Sequence, residues 1–217
     1  MTIEHNRFIP REIRLENEEY NRRWIVQNEM IGESIVSLEE LDVDEEKKLD
    51  SSPFMVVWLR NIDRLFNLCK DIDFGQYDLI DVGCGSGIST AYIYGNYSLK
   101  SVMGFDFSPS LIDLAHQNKN RTYSWKDSLG RLTEPVLSFE VADATTFRVP
   151  NQNVLLFLFN PFGWRTLESF IENNINTMRK HSSYMLYAND RFVNELSHYG
   201  NIVARDDFFN LSVVKFF

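Results

Sequence analysis

One short stretch, Asp78–Thr90, limits what this chain can fold into more than any other part of its sequence. Its first half, Asp78–Val82, is an apolar and β-branched run of the kind found in a buried strand of a parallel sheet. Three glycines then alternate with other residues, at Gly83, Gly85 and Gly87, and let a ligand approach main-chain N–H groups that a Cβ would shield. The residues that follow predict the first turns of a helix. A strand, a glycine loop and a helix in this order predict a cofactor site.

The spacing of the glycines narrows the choice of cofactor. A dinucleotide fingerprint has the form G-x-G-x-x-G, so its third glycine would stand where this chain has Ile88. Gly87 comes one residue early, which weakens the pyrophosphate interpretation. A P-loop is excluded, because neither Gly-Lys-Ser nor Gly-Lys-Thr follows the loop.

The segment Asp81–Gly87 resembles the first motif of the class I S-adenosylmethionine-dependent methyltransferases, an acidic residue followed after a short gap by G-x-G-x-G. The alternative is a glycine-rich turn with a structural role only. The resemblance implies an α/β fold with a doubly wound, seven-stranded, mostly parallel sheet and an antiparallel C-terminal strand. It also implies that S-adenosylmethionine is the cofactor, bound by Asp81, Gly83, Cys84, Gly85, Ser86 and Gly87.

Two more acidic residues follow predicted strands. Asp106 ends the second strand at the spacing from the glycine loop that is typical of a carboxylate binding ribose hydroxyls, although it could instead cap the next helix. Phe107 is placed to lie on the adenine face. The third predicted strand ends at Asp143 and Ala144. The resemblance implies that the Asp143 carboxylate accepts from the adenine amine, while the Ala144 N–H donates to a ring nitrogen.

The predicted acceptor site follows the most apolar run, Val154–Phe159, which predicts the central fourth strand. Open α/β sheets bind substrates at the carboxyl ends of such strands. The next residues, Asn160-Pro161-Phe162-Gly163, are similar to the N-P-P-Y/F signature of N-methyltransferases without its second proline. They resemble more closely a group of small bacterial methyltransferase-like proteins with N-P-F, in which an Asn also follows the next strand. We therefore predict Asn160, Asn189 and Asp190 as the catalytic, substrate-positioning residues, with Asn160 also near the cofactor; the alternative for Asn160 is a turn residue.

The N-terminal part differs in composition from the rest of the chain. We predict a polar, helical extension over residues 1–51 and the methyltransferase domain over residues 52–217. The extension is either a solvated appendage or a lid over the cofactor and substrate sites. Ser52 and Pro53 predict the start of a helix that ends near Lys70, and Trp164–Lys180 predicts a long helix with one apolar face.

Composition and charge limit the partners. The 217 residues, 44% of them hydrophobic, fit one domain. No apolar run is long enough to span a membrane, and Met1–Arg7 lacks the features of a secretory signal, so we expect a cytoplasmic protein. The net charge of −9, from 22 basic and 31 acidic side chains, disfavours nucleic acid as a partner. The cysteines and histidines have no metal-ligand spacing, and we predict no metal.

Together these observations predict an enzyme that transfers a methyl group from S-adenosylmethionine to a nitrogen or oxygen of a small-molecule or sugar acceptor. The mechanism would be in-line attack, with catalysis mostly from orientation and the exclusion of water. N-P-F also suggests an alternative, a protein methyltransferase acting on lysine or glutamine nitrogen. A second alternative is a module that binds S-adenosylmethionine or a nucleotide without turnover.

Overall fold

A computed structural model describes residues 9–128 and 136–217 of the chain. The prediction that Met1–Arg7 is not a secretory signal concerns residues that lie outside them. The fold is built on one seven-stranded sheet with the order β3-β2-β1-β4-β5-β7-β6. Neighbours from β3 to β5 are parallel, whereas β7 is antiparallel to both β5 and β6. The strands are β1 Asp78–Val82, β2 Ser101–Asp106, β3 Val136–Val141, β4 Val154–Leu158, β5 Tyr184–Ala188, β6 Gly200–Asp206 and β7 Leu211–Phe216. This confirms the predicted α/β fold class.

Helices cover both faces of the sheet. Along β1, Leu79 packs into a core on one face while Ile80 and Val82 pack into a second core on the other, because successive side chains of a strand point to opposite faces. β4 is buried on both faces for the same reason, which explains its uninterrupted apolar sequence. The helices are α1 Arg11–Gln27, α2 Glu45–Lys48, α3 Leu59–Leu68, α4 Ile88–Asn96, α5 Pro109–Ser128, α6 Trp164–Lys180 and α7 Val193–Leu196.

The strand order creates a crevice at the carboxyl ends of β1 and β4. The chain begins the sheet at β1, adds β2 and β3 on one side, and then returns to add β4 on the other side of β1. The loops that leave β1 and β4 therefore diverge, and a crevice forms between them at the carboxyl ends of the strands. The glycine loop follows β1 and N-P-F follows β4, so both predicted motifs lie at this crevice.

The helix predicted to begin at Ser52 begins instead at Leu59, so that prediction is wrong. Residues 51–58 are extended, because part of their main chain pairs with other segments instead of forming helical turns. The side chain of Asn21, on α1, accepts the N–H of Leu59 at 2.9 Å and so supplies the cap that Ser52 was expected to provide. Its amide nitrogen also donates to the carbonyl of Val57 at 2.8 Å.

Candidate active site

A cavity of about 720 Å³ lies at the carboxyl ends of β1 to β5. Its lining joins residues that are far apart in the sequence but follow neighbouring strands, as expected for an open α/β sheet. The structure therefore brings most of the predicted site residues together. The predicted residues that line the cavity are Asp81, Gly83, Cys84, Asp106, Phe107, Asp143, Ala144, Asn160 and Asn189.

The three glycines of the loop all have left-handed backbone conformations, but they serve different contacts. A Cβ on Gly83 would lie 2.2 Å from the Cβ of Pro161, so this glycine lets the N-P-F loop approach β1. A Cβ on Gly87 would lie 2.7 Å from the ring of Phe139, so Gly87 lets the loop pack on β3. Gly85, Ser86 and Gly87 are buried and are not among the residues that line the cavity, contrary to their predicted contact with the cofactor.

Asp106 connects the glycine loop to β2. One carboxylate oxygen accepts the N–H of Gly85 at 3.0 Å and the other accepts the N–H of Ser108 at 2.9 Å. Burial raises the pKa of Asp106, and these N–H groups act in the opposite direction. The carboxylate thus caps the turn before α5 and also lines the cavity, so the two alternatives from the sequence are compatible.

Asp81, at the end of β1, is a second buried carboxylate on the cavity. Burial raises its pKa to about 7, and the negative charge of Asp106 acts in the same direction. The hydroxyl of Thr90 donates to Asp81 at 2.6 Å and favours the ionised form. Two neighbouring buried carboxylates without a lysine or arginine partner among the described residues make this end of the cavity suited to a cationic group.

Asp143 follows β3 and, unlike Asp81 and Asp106, lies beside a lysine. Its carboxylate accepts from the N–H and the hydroxyl of Thr145, at 2.9 and 2.7 Å, and the ammonium of Lys47 lies 3.4 Å away. Burial alone would raise the pKa of Asp143, but these groups outweigh it and the pKa lies below its ordinary value. Asp143 is therefore a fixed, ionised acceptor at the β3 end of the cavity.

Asn160 and Asn189 tie the ends of β4 and β5 together. The Asn160 amide donates to the main-chain carbonyl of Asn189 at 2.6 Å, and its oxygen accepts the hydroxyl of Tyr187 at 2.5 Å. Both asparagines have positive φ, 43° and 53°, a conformation that asparagine tolerates better than most residues. Burial raises the pKa of Tyr187, so its hydroxyl stays a donor. Sequence reasoning missed Tyr187, because a tyrosine inside a strand looks like core.

The structure does not bring Asp190 to the cavity, contrary to its predicted role in positioning the substrate. The Asp190 carboxylate is fully buried and accepts from Arg205 Nε at 2.8 Å and Nη2 at 3.2 Å. The hydroxyl of Ser212 donates to the same carboxylate. Asp190 thus joins the end of β5 to β6 and β7.

Residues 36–55 of the N-terminal region, which include α2, contribute part of the lining of the cavity, and we call them the roof segment. The N–H of Ser52 donates to the carbonyl of Pro161 at 3.0 Å, and the carbonyl of Asp50 accepts the N–H of Gly163 at 2.7 Å. The Asp50 carboxylate also accepts the N–H of Thr166 at 2.8 Å and caps α6. Sequence reasoning could not place this segment, because isolated bridges of this kind have no periodic signature.

The described residues lack two further features, a membrane-spanning helix and a metal-binding cluster. None of the described helices is both long and apolar enough to cross a bilayer. Residues 9–128 and 136–217 contain no cluster of three or more His, Cys, Asp or Glu side chains suited to a metal ion.

Comparison with known proteins gives one family and a set of structures. Residues 80–158 match the family described as Methyltransferase domain. A candidate RNA methyltransferase from Pyrococcus horikoshii has the same fold, with a TM-score of 0.52 and 12% identity over 91% of this chain and 95% of that one. The N-methyltransferase NodS from Bradyrhizobium japonicum is 14% identical over 72% of this chain and 93% of its own, with a TM-score of 0.49. The match at residues 80–158 spans the glycine loop and ends where β4 ends.

Proposed function

We propose that this chain methylates a nitrogen or oxygen of a small-molecule acceptor, such as a metabolite or sugar, as an S-adenosylmethionine-dependent methyltransferase. Its match to the Methyltransferase domain family and its class I strand order support this. The roof segment carries this proposal, since it covers the strand ends and leaves a cavity of about 720 Å³. Volumes in this range hold small ligands. A macromolecular acceptor would have to displace the roof segment from the N-P-F loop. The net charge of −9 also disfavours RNA.

Residues along the cavity suit successive parts of S-adenosylmethionine, from its adenine ring through its ribose to its methionine end. Asp143 would accept the adenine amine, and Asp106 would accept the ribose hydroxyls beside Phe107. The N–H of Ala144 makes no hydrogen bond within the described residues and would donate to a ring nitrogen. Asp81 would face the ammonium group of the methionine end. When bound, the cofactor supplies a methyl group on a positively charged sulfur that needs no further activation.

The acceptor would lie between the N-P-F loop and the roof segment. Asn160 uses one of its two amide N–H groups on Asn189, so it keeps one donor for the acceptor molecule. Its hydrogen bonds with Tyr187 and Asn189 fix the amide before the acceptor arrives. The contribution of the protein is thus mainly orientation and the exclusion of water by the roof segment.

The proposal is tested by following labelled methyl groups from S-adenosylmethionine into a cell extract separated into small metabolites, RNA and protein. We expect label in the small-metabolite fraction. Label in RNA would replace the proposal with the activity named for the Pyrococcus horikoshii neighbour, and label in protein would support the lysine or glutamine alternative. A protein that binds S-adenosylhomocysteine but labels no fraction would be a binding module.

Asn160→Ala is expected to lower methyl transfer by about a hundred-fold, the scale of a misplaced reacting group. Its affinity for S-adenosylhomocysteine should change by no more than about threefold, because the product site lies mainly at β1 to β3. Transfer is measured in the fraction that the wild-type protein labels, and affinity by calorimetry. Tyr187→Phe keeps the ring but loses the hydrogen bond to Asn160, so a smaller loss of transfer is expected. Equal transfer by Asn160→Ala and wild type would remove Asn160 from the site.

Binding of S-adenosylhomocysteine is expected to weaken as the pH falls below about 7. The pKa of Asp81 is about 7 in the free protein, so below that pH the carboxyl binds a proton that it must lose to face an ammonium group. The loss is at most about tenfold in affinity for each pH unit. Asp81→Asn should bind more weakly near neutral pH and show a flatter profile. Calorimetry between about pH 8 and about pH 6 measures both proteins, and a flat wild-type profile would contradict the assignment.

A further inference from the structure

Phe54, on the roof segment, is held in place by main-chain hydrogen bonds. Its N–H donates to the carbonyl of Val36 at 3.0 Å, and its carbonyl accepts the N–H of Val36 at 3.1 Å. Two residues earlier, the N–H of Ser52 donates to the carbonyl of Pro161 at 3.0 Å, so the main chain is hydrogen-bonded at Ser52 as well as at Phe54. The main chain thus fixes where the Phe54 ring can lie.

The ring of Phe54 lies against the glycine loop and lines the cavity. A Cβ on Gly85 would be 2.1 Å from Cε2 and 2.3 Å from Cδ2 of this ring, but 3.2 Å from Cζ. The Cε2–Cδ2 side of the ring is therefore in direct contact with Gly85. Within the described residues, no second aromatic ring stacks on Phe54 and no lysine or arginine lies over it.

The position of the ring along the cavity indicates which part of the cofactor it would meet. Asp143 and Asp106, the residues proposed for adenine and ribose, follow β3 and β2. Gly85 follows β1, and its N–H is bonded to Asp106. The next part of the cofactor, its sulfur, would then lie at the β1 loop, facing the N-P-F loop that follows β4.

We propose that Phe54 is a positioning residue whose aromatic ring contacts the positively charged sulfur of S-adenosylmethionine. This inference rests on the proposed function, because it takes the cofactor site as given. The face of an aromatic ring carries a negative potential that attracts cations, including those bearing alkyl groups. The sulfur of the product, S-adenosylhomocysteine, is neutral and gains nothing from the ring. Phe54 therefore favours the donor over the product and orients the methyl group toward the acceptor.

The experiment compares the affinities of the full-length protein for S-adenosylmethionine and S-adenosylhomocysteine by calorimetry. Phe54→Leu keeps an apolar side chain but removes the aromatic face. We expect it to weaken S-adenosylmethionine binding by about three- to thirty-fold and S-adenosylhomocysteine binding by less than about twofold. Phe54→Tyr keeps the ring and should keep the preference for the donor. Phe208→Leu, on an exposed ring that packs on Phe209, is the control and should match the wild type.

Equal loss of both affinities in Phe54→Leu, or no loss of either, would overturn the proposal and leave Phe54 as a packing residue. If Phe54→Leu proves unstable in a thermal melt, pentafluorophenylalanine at position 54 keeps the ring's shape but reverses the charge of its face. The preference for S-adenosylmethionine should then fall, and an unchanged preference would also overturn the proposal. A wild-type protein that binds neither ligand would instead contradict the proposed function itself.

Discussion

Gly85→Ala is expected to abolish the response of the protein to S-adenosylhomocysteine. The new Cβ would lie 2.1 Å from the ring of Phe54, a distance at which the ring or the loop has to move. Gly85 also has a φ of 54°, which disfavours any residue with a Cβ. Its N–H is bonded to Asp106, so movement of the loop would also displace the carboxylate proposed for the ribose.

A thermal melt with and without ligand measures this effect. In the wild type, ligand at about 100 times its Kd should add about 2.7 kcal/mol of stability, which is roughly 5 to 10 °C for a domain of this size. Gly85→Ala should still unfold cooperatively, at a lower temperature, but without a ligand-dependent shift. Gly75→Ala is the matched control, because its Cβ would meet only the Asp73 side chain, at 3.3 Å, without a positive φ. If S-adenosylhomocysteine raises the melting temperature of Gly85→Ala as much as that of the wild type, the prediction is contradicted. The roof segment and the glycine loop would then accommodate the new Cβ without loss of binding.

The double variant Gly85→Ala with Phe54→Ala separates the two causes. Without the Phe54 ring, the Cβ at position 85 has no aromatic carbon to collide with, while the strain from the positive φ remains. Recovery of part of the lost stability in the double variant would therefore assign that part to the collision. Additive losses would place the whole effect in the backbone of the loop.

The features predicted correctly are those that local sequence determines. β1 and α6 were predicted with their observed boundaries, because apolar runs and helical periodicity are properties of neighbouring residues. Most of the predicted site residues come together at one cavity, because residues that come directly after parallel strands meet at one edge of the sheet. Gly83, Asp106, Asp143 and Asn160 all line the cavity for this reason.

The features that were missed depend on contacts between distant segments. Ser52 and Pro53 have the local pattern of a helix start, but the hydrogen bonds of Ser52 with Pro161 and of Phe54 with Val36 hold this region extended. Nothing near Phe54 in the sequence indicates that its ring lies on a glycine 31 residues later. Asp190 was misassigned for the same reason, because its partner Arg205 enters from β6.

Asp190→Ala is expected to lower the free energy of unfolding by about 3–5 kcal/mol, the scale seen when one partner of a buried ion pair is removed. The Asp190 carboxylate is fully buried and the Arg205 side chain is only 9% exposed, so water cannot replace the lost partner. The hydroxyl of Ser212 loses its acceptor as well. The melting temperature should fall by roughly 6 to 20 °C, while the folded variant keeps its affinity for S-adenosylhomocysteine.

Asp207→Ala is the matched control for this prediction, because Asp207 pairs with the same arginine but its side chain is 84% exposed. Its removal should change stability by no more than about 1 kcal/mol, as for other exposed ion pairs. Urea unfolding of the two variants beside the wild type gives both free energies. A stable Asp190→Ala that binds S-adenosylhomocysteine but no longer transfers methyl groups would restore the catalytic role predicted from the sequence. A large loss of stability with transfer retained below the melting temperature would instead make Asp190 the residue that fastens the antiparallel end of the sheet to β5.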